Sequence, residues 1–322
     1  MKAIQIFETG GPEVLQLVDL PVPSVGPGQL LLRVAATGVN FIETYQREGR
    51  YKAPLPMVLG SECSGVVEAV GEGVQGFAVG EAVATASAIG AYAEYALAPA
   101  ASVVKVPAGL DLKVAAAVLL QGMTAHYLVY GVWLLEPGET ALIHAAAGGT
   151  GQLLVQMAAA IGARVIATVS TAAKAELARQ AGAHEVILYT EADFEAETKR
   201  LTNGRGVDVV YDSVGKTTFE KSLNCLRPRG LMALFGGSSG AVPPFDLIQL
   251  SMKGSLFVTR PTLKDYIATR AELEERANAV FNWVLQGKLK VRNEHTYSLG
   301  EAAQAQIDLA SRKTTGKLLL LP

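Results

Sequence analysis

Thr140-Ala141-Leu142-Ile143-His144-Ala145-Ala146-Ala147-Gly148-Gly149-Thr150-Gly151 is the stretch on which the fold turns. It opens as an apolar strand, Thr140 to Ala146, and closes on glycines, after which Leu153, Leu154, Met157 and Ile161 recur at helical spacing. A strand that passes through a glycine turn into a helix leaves free N–H groups and the positive end of the helix dipole facing outward. Those are the surroundings a pyrophosphate needs. In the pattern G-x-G-x-x-G, Gly148 and Gly151 take the second and third glycine positions and Ala146 the first. A glycine pattern alone is weak; its position between strand and helix, at the head of an alternating series, carries the expectation of dinucleotide binding.

The series continues with apolar strands at Arg164 to Val169, Glu185 to Tyr189, Val207 to Ser213, Gly230 to Phe235 and Ser255 to Thr259, separated by helical stretches. Six such strands predict a doubly wound, parallel Rossmann sheet covered by helices on both faces, an α/β architecture. The first third reads differently, as short strands at Met1 to Phe7, Gln29 to Ala36, Gly65 to Val70, Glu81 to Thr85 and Ala91 to Leu97 between Gly and Pro clusters. A charged helix, Asp265 to Gln286, and a last strand, Lys317 to Leu321, are expected to pack back on this β-rich lobe. The expected division is residues 1–122 with 262–322 for the β-rich domain and 123–261 for the nucleotide-binding domain.

The end of the second sheet strand chooses between two cofactors. An Asp or Glu about 20 residues after the glycine turn would bind a ribose 2′-hydroxyl. Here the region reads Val169-Ser170-Thr171-Ala172-Ala173-Lys174, with no acid. Hydroxyls and a cation suit the 2′-phosphate of NADPH, which a carboxylate would repel.

Charge is nearly balanced over the 322 residues, 28 Lys and Arg against 30 Asp and Glu. Such a chain has no overall field to draw in a polyanion, so nucleic acid is not an expected partner. Two cysteines, Cys63 and Cys225, cannot build a disulfide framework or a four-cysteine zinc site, and the N-terminus lacks a signal-like apolar core, so a cytoplasmic setting is expected. Val114 to Leu135 carries no formal charge over a bilayer-spanning length, but Gln121, Gly122, Thr124, His126 and Gly131 interrupt it. A buried helix accounts for it, and no membrane association is expected. The last sheet strand, Ser255 to Thr259, is apolar and would form an open edge, so a homodimer paired through the nucleotide-binding domain is expected.

Gly60-Ser61-Glu62-Cys63-Ser64-Gly65, the Ala-x-x-Gly-x-x-Gly turn and Gly206-Val207-Asp208-Val209-Val210-Tyr211-Asp212-Ser213-Val214-Gly215 together resemble the medium-chain dehydrogenase/reductase superfamily over essentially the whole chain. The segment Gly38-Val39-Asn40-Phe41-Ile42-Glu43-Thr44-Tyr45 resembles its quinone oxidoreductase, or zeta-crystallin-like, branch, as do His144 to Gly149 and Val258-Thr259-Arg260-Pro261. The resemblance implies that the β-rich lobe is a GroES-like catalytic domain. Zinc-dependent relatives carry Cys where this chain has Asn40 and His where it has Ser61, so a zinc-independent enzyme is implied. No tyrosine has a lysine four residues on, which sets aside the short-chain reductases.

The resemblance further implies Asn40, Tyr45, Thr124 and Tyr127 on the nicotinamide and ribose side, with Gly149 and Thr150 at the pyrophosphate. Ser170 and Lys174 go to the 2′-phosphate and Tyr189 to the adenosine, while Phe235, Gly236 and Ser238 with Thr259 and Arg260 close over the cofactor. Ser213 and Lys317 complete the implied set. Arg260, lying among apolar neighbours, is expected to need an anionic partner. Asn40 and Tyr45 are the candidate catalytic pair, donating to a quinone oxygen as charge develops. Glu43 stands where many relatives carry Asp, so no role is carried onto it. Two alternatives stay open: reduction of an α,β-unsaturated carbonyl, and an NADPH-binding crystallin-like or RNA-binding protein.

Overall fold

Turn-forming glycines and prolines cut the first hundred residues into short strands. These are β1 (Lys2–Ile6), β2 (Gln16–Asp19), β3 (Gln29–Val39), β4 (Met57–Val58), β5 (Cys63–Val70), β6 (Ala82–Thr85), β7 (Tyr95–Pro99) and β8 (Val103–Lys105), with one short helix, α1 (Phe41–Arg47). The computed structural model describes residues 1–322, which divide into Met1–Met123 with Ile267–Pro322, and Thr124–Tyr266. The boundary falls inside α2 (Leu112–Tyr127). The apolar stretch Leu112–Val132 that contains α2 is long enough to cross a membrane, yet its most apolar 18-residue window is 72% buried in protein.

In the first unit the eleven-residue β3 organises a seven-stranded sheet. It pairs along its length with β5 and shares its other edge between β7 and the last strand of the chain, β16 (Leu318–Leu321). Flanked on both edges, β3 buries Leu30, Leu32, Ala36 and Val39 almost completely. The later elements of this unit are α9 (Arg270–Leu285), β15 (His295–Ser298) and α10 (Ala302–Ser311). β15 joins the sheet beside β16, and α10 buries Ala302 and Ala305 against Ile4, Ile6, Leu59 and Tyr92.

The second unit runs β9 (Thr140–Ile143), α3 (Gly149–Ile161), β10 (Arg164–Val169), α4 (Ala172–Gln180), β11 (Glu185–Leu188), α5 (Phe194–Leu201), β12 (Val207–Asp212), α6 (Phe219–Cys225), β13 (Leu226–Leu234), α7 (Ile248–Met252), β14 (Phe257–Thr259) and α8 (Leu263–Tyr266). The sheet is parallel in the order β11-β10-β9-β12-β13-β14. Every residue of β9 and β12 is buried, as a parallel sheet covered on both faces requires. The order reverses between β9 and β12, and in such sheets that is where ligands bind, beyond the C-terminal strand ends.

Several elements differ from the sequence expectation. The strand foreseen from Ala91 begins at Tyr95, because Ala91 and Tyr92 donate to Gly60 and Leu59, in the loop between β4 and β5, rather than to a strand. The charged helix from Asp265 is two helices, since Thr269 starts a new one: its hydroxyl accepts from Glu272 N while Glu272 accepts from Thr269 N. The edge strand β14 shortens to Phe257–Thr259 because Ser255 adopts a φ of 55°. The first sheet strand ends at Ile143, ahead of the turn begun by Ala145 at φ 51°.

Candidate functional site

At and beyond the C-terminal ends of the six parallel strands lie most of the sequence-predicted residues of the second unit, Thr124 and Tyr127 on α2 excepted. After β9, Gly148 N donates to Ala145 O at 2.9 Å, and α3 starts at Gly149 with no side chain capping it. The first N–H groups of α3, among them those of Gly149 and Thr150, therefore keep their capacity for an anion. Gly151 lies against the turn: a Cβ there would come within 2.3 Å of Ala145 O and 2.9 Å of Ala146 Cα.

After β10, Ser170 is half-buried and its carbonyl accepts from Thr190 Oγ1 at 3.0 Å. The Thr171 hydroxyl caps α4 by accepting from Lys174 N, so Ser170, Thr171 and Lys174 gather at another helix N-terminus. Tyr189, after β11, is 41% exposed. Ser213 follows β12 and its carbonyl accepts from Ser238 N at 3.2 Å, while a Cβ on Gly236 would lie 2.5 Å from the same oxygen. Phe235 N donates to Asp212 O at 2.9 Å.

Asp212, to which the sequence assigned no part, shapes this end of the sheet. Its buried carboxylate accepts from Val214 N at 2.7 Å, Gly215 N at 3.0 Å, Thr218 Oγ1 at 2.6 Å and Ser222 Oγ at 3.2 Å. His144 Nε2 meets the same Ser222 at 2.9 Å and its Nδ1 meets Thr168 at 2.8 Å. Burial lowers the His144 pKa, opposed by the Asp212 charge.

At β14, Thr259 is half-buried and Arg260 exposed, so the anionic partner expected for a buried guanidinium is not required. Tyr127 is buried and stacks on Tyr266 with centroids 4.5 Å apart; burial raises its phenol pKa, opposed by the nearby Arg260 charge. Thr124 is buried one turn earlier on α2.

The first unit holds a separate polar cluster. Asn40 leaves β3, Glu62 precedes β5 and Lys317 precedes β16, three neighbouring antiparallel strands, so the ends of the three meet. Lys317 Nζ donates to Glu62 Oε2 at 2.6 Å and to Asn40 Oδ1 at 2.5 Å. Asn40 Nδ2 donates to Glu62 Oε2 at 3.1 Å and to Gly38 O at 3.3 Å. Glu62 Oε1 accepts from Leu120 N of α2 at 2.7 Å. The two charged side chains are 0% and 1% exposed, and removing one member of such a pair typically costs about 3–5 kcal/mol.

Glu43 extends the cluster, accepting from Asn40 N at 2.8 Å and from Ser61 Oγ at 2.9 Å. Burial pushes its carboxyl up to about 7, against the pull of Lys317 and the Ser61 hydrogen bond. Two residues further along α1, Tyr45 is half-buried, its ring 5.8 Å from Tyr51 and 5.2 Å from the Arg50 guanidinium. Of the residues the sequence singled out here, Asn40 and Lys317 meet directly. Glu62 was missed as a site residue, although a carboxylate beside Cys63-Ser64-Gly65-Val66-Val67 is a signal, since a charge entering an apolar strand needs a partner.

Residues 26–108 match the family model for the alcohol dehydrogenase GroES-like domain, and residues 149–273 that for zinc-binding dehydrogenase. A quinone oxidoreductase of Pseudomonas aeruginosa is 46% identical over 323 residues, covering 100% of this chain and 99% of the relative. A 2-haloacrylate reductase of a Burkholderia species is 45% identical over 329 residues, covering 99% and 98%. The crystal structure of Escherichia coli quinone oxidoreductase complexed with NADPH superposes with a TM-score of 0.98 at 44% identity, covering 100% of both chains.

Zinc, which the second family model carries in its name, does not fit the residues present. No three His, Cys, Asp or Glu side chains gather where they could hold a metal ion. At Asn40 the polar cluster already contains a cation, the Lys317 ammonium, which would repel another. With both domains matched in order, the parallel sheet and its glycine turn in place, and full-length relatives at 45–46% identity, this chain belongs to the quinone oxidoreductase branch of the medium-chain dehydrogenase/reductase superfamily.

Proposed function

We propose that the chain is an NADPH-dependent quinone reductase working without a bound metal ion. The observation that carries this is the gathering of candidate cofactor residues beyond all six parallel strands, with hydroxyls and Lys174 but no acid after β10. NADPH supplies reducing equivalents, and a quinone accepts them readily because it becomes aromatic. The α3 N-terminus with Gly149 and Thr150 holds the pyrophosphate, Ser170, Thr171 and Lys174 the 2′-phosphate, and Tyr189 the adenosine. Ser213, Phe235, Gly236, Ser238, Thr259 and Arg260 border the cofactor, with Thr124 and Tyr127 on the ribose side. Thr124–Tyr266 serves as the cofactor domain, and Met1–Met123 with Ile267–Pro322 as the catalytic domain, so that Leu263–Tyr266, expected in the β-rich lobe, goes with the cofactor domain.

Tyr45 donates to the acceptor oxygen. Asn40, expected to donate to the quinone, has its amide N–H groups on Gly38 O and Glu62 and instead orients the site, and Lys317 acts through it rather than as a direct cofactor ligand. A cytoplasmic setting is supported by two buried free thiols, Cys63 and Cys225. A homodimer joined along β14 is supported by exposed Phe257 (56%) on that edge and by exposed Leu247, Ile248 and Met252 (74%) in and just before α7, the element preceding it.

A second reading, reduction of an activated carbon–carbon double bond, is favoured by the similarity to the 2-haloacrylate reductase. That reaction additionally needs a proton delivered to carbon. The test is a panel of 1,4-benzoquinone, menadione, 2-chloroacrylate and a simple enone, each with NADPH and NADH. NADPH-driven quinone turnover is expected, and turnover of the chloroacrylate or enone alone would transfer the assignment to the second reading. A charge-assisted contact contributes about 1.5–3 kcal/mol. Lys174→Ala should therefore weaken NADPH on the order of 10 to 200-fold and leave NADH nearly unchanged; equal losses would remove the 2′-phosphate assignment.

A further inference from the structure

The Asn40 amide poses a problem of orientation, because its oxygen and nitrogen ends have nearly the same shape and only hydrogen-bond partners distinguish them. Its two charged neighbours distinguish them fully. An ammonium only donates and an ionised carboxylate only accepts. Lys317 can therefore meet only Oδ1, and Glu62 only Nδ2, as observed.

We propose that the buried Glu62–Lys317 ion pair is a positioning device that sets the Asn40 side chain and, through it, the start of the helix α1 that carries Tyr45. The proposal rests on the reading that Tyr45 donates to the acceptor and Asn40 orients the site. Three features of the fold support it. First, the pair is anchored independently of Asn40: Glu62 Oε1 holds Leu120 N of α2, and Lys317 N donates to Arg292 O at 2.8 Å. Second, the chain makes room for the pair at Gly38, where a Cβ would lie 2.1 Å from Glu62 Oε2 and 2.8 Å from Lys317 Nζ. Third, Asn40 passes the constraint on, since its own N–H is held by Glu43 of α1 while Glu43 also holds Ser61, the neighbour of Glu62.

A purely stabilising role is a poor explanation, because well-packed apolar side chains of similar volume usually do as well as a buried ion pair. What apolar side chains cannot do is tell one end of an amide from the other. Glu62 and Lys317 thus act through Asn40, as positioning residues.

The double variant Glu62→Gln/Lys317→Met removes both charges together at nearly constant volume, avoiding a buried unpaired charge. Hydrogen exchange of the α1 amides, residues 41–47, should quicken by about tenfold or more, the scale of one charge-assisted hydrogen bond. Exchange in the parallel sheet and NADPH affinity should stay as in the parent. kcat should fall about tenfold at unchanged KM for NADPH, and adding Asn40→Ala should then cause no further loss, the non-additivity expected of residues acting as one unit. Unchanged α1 exchange in the folded double variant, or an additive loss with Asn40→Ala, would overturn the proposal. If the double variant does not fold, Asn40→Leu carries the same exchange test with both charges kept. Because the exchange readout needs no turnover, a parent protein inert toward every acceptor would remove the functional reading, and α1 exchange would still decide this inference.

Discussion

Tyr45 has an aromatic neighbour on each side, Phe41 at 6.1 Å and Tyr51 at 5.8 Å, and the Arg50 guanidinium over its ring. Packing of this kind holds the ring whether or not the hydroxyl does chemistry, so the two roles separate by substitution. If the hydroxyl donates to a developing oxyanion, Tyr45→Phe lowers kcat by roughly tenfold, below the 10²–10³ of fully enclosed oxyanion donors, while NADPH affinity holds. Tyr45→Ala should in addition loosen the local packing and raise KM. Steady-state kinetics with 1,4-benzoquinone, with NADPH binding followed separately, makes the comparison; a silent phenylalanine variant would assign the ring to packing alone. The identity of Tyr45 and Asn40 as candidates was legible in the sequence through the segment that runs from Gly38 to Tyr45. That the Asn40 amide is occupied by Lys317 was not, because 277 positions separate the two residues and only strand pairing brings them together.

At the level of elements, the parallel sheet was readable because buried parallel strands are continuous apolar runs punctuated by helices; β10, β11 and β12 came out within a residue of their foreseen limits, whereas β9 ends three residues early and β13 begins four residues early, at Leu226. Short edge elements were harder. β2, β4, β8 and β15 have two to four residues, too few for a period, and they exist because a neighbouring strand offers them hydrogen bonds. β14 is the edge element with the clearest consequence. It pairs through Leu231, Met232 and Ala233 on one side, and Phe257 and Val258 are exposed. If that edge joins a second copy across a twofold axis, Phe257→Pro should shift the protein from dimer to monomer in light scattering at micromolar concentration. A parent monomer, or a dimer indifferent to the proline, would exclude this edge as the interface.

For the whole molecule, the buried Glu43 carboxyl links folding stability to pH. Its folded pKa, about 7, lies above the ordinary value of 4.5, so between those two values the folded chain holds a proton that the unfolded chain has released. Stability therefore falls as pH rises from about 4.5 to about 7 and levels off above, by at most about 3 kcal/mol. Glu43→Gln, which cannot ionise, should lose that slope. Thermal unfolding of both proteins across this window tests it, and parallel profiles would show that Glu43 ionises no differently in the folded state.

Sequence alone determined what depends on neighbours along the chain: the strand, glycine turn and helix of the nucleotide site, the missing acid after β10, and the family pattern around Asn40. Local periodicity and backbone sterics act over a few residues, so they leave their mark in consecutive positions. Only the tertiary structure decided the surroundings of the buried charges, where Glu62, Lys317 and Asn40 meet at the ends of β5, β16 and β3. It also decided that Arg260 is exposed and that Asp212 holds the turn after β12. Burial and charge pairing depend on which distant strands lie side by side, and that is set by packing of the whole sheet rather than by any one segment.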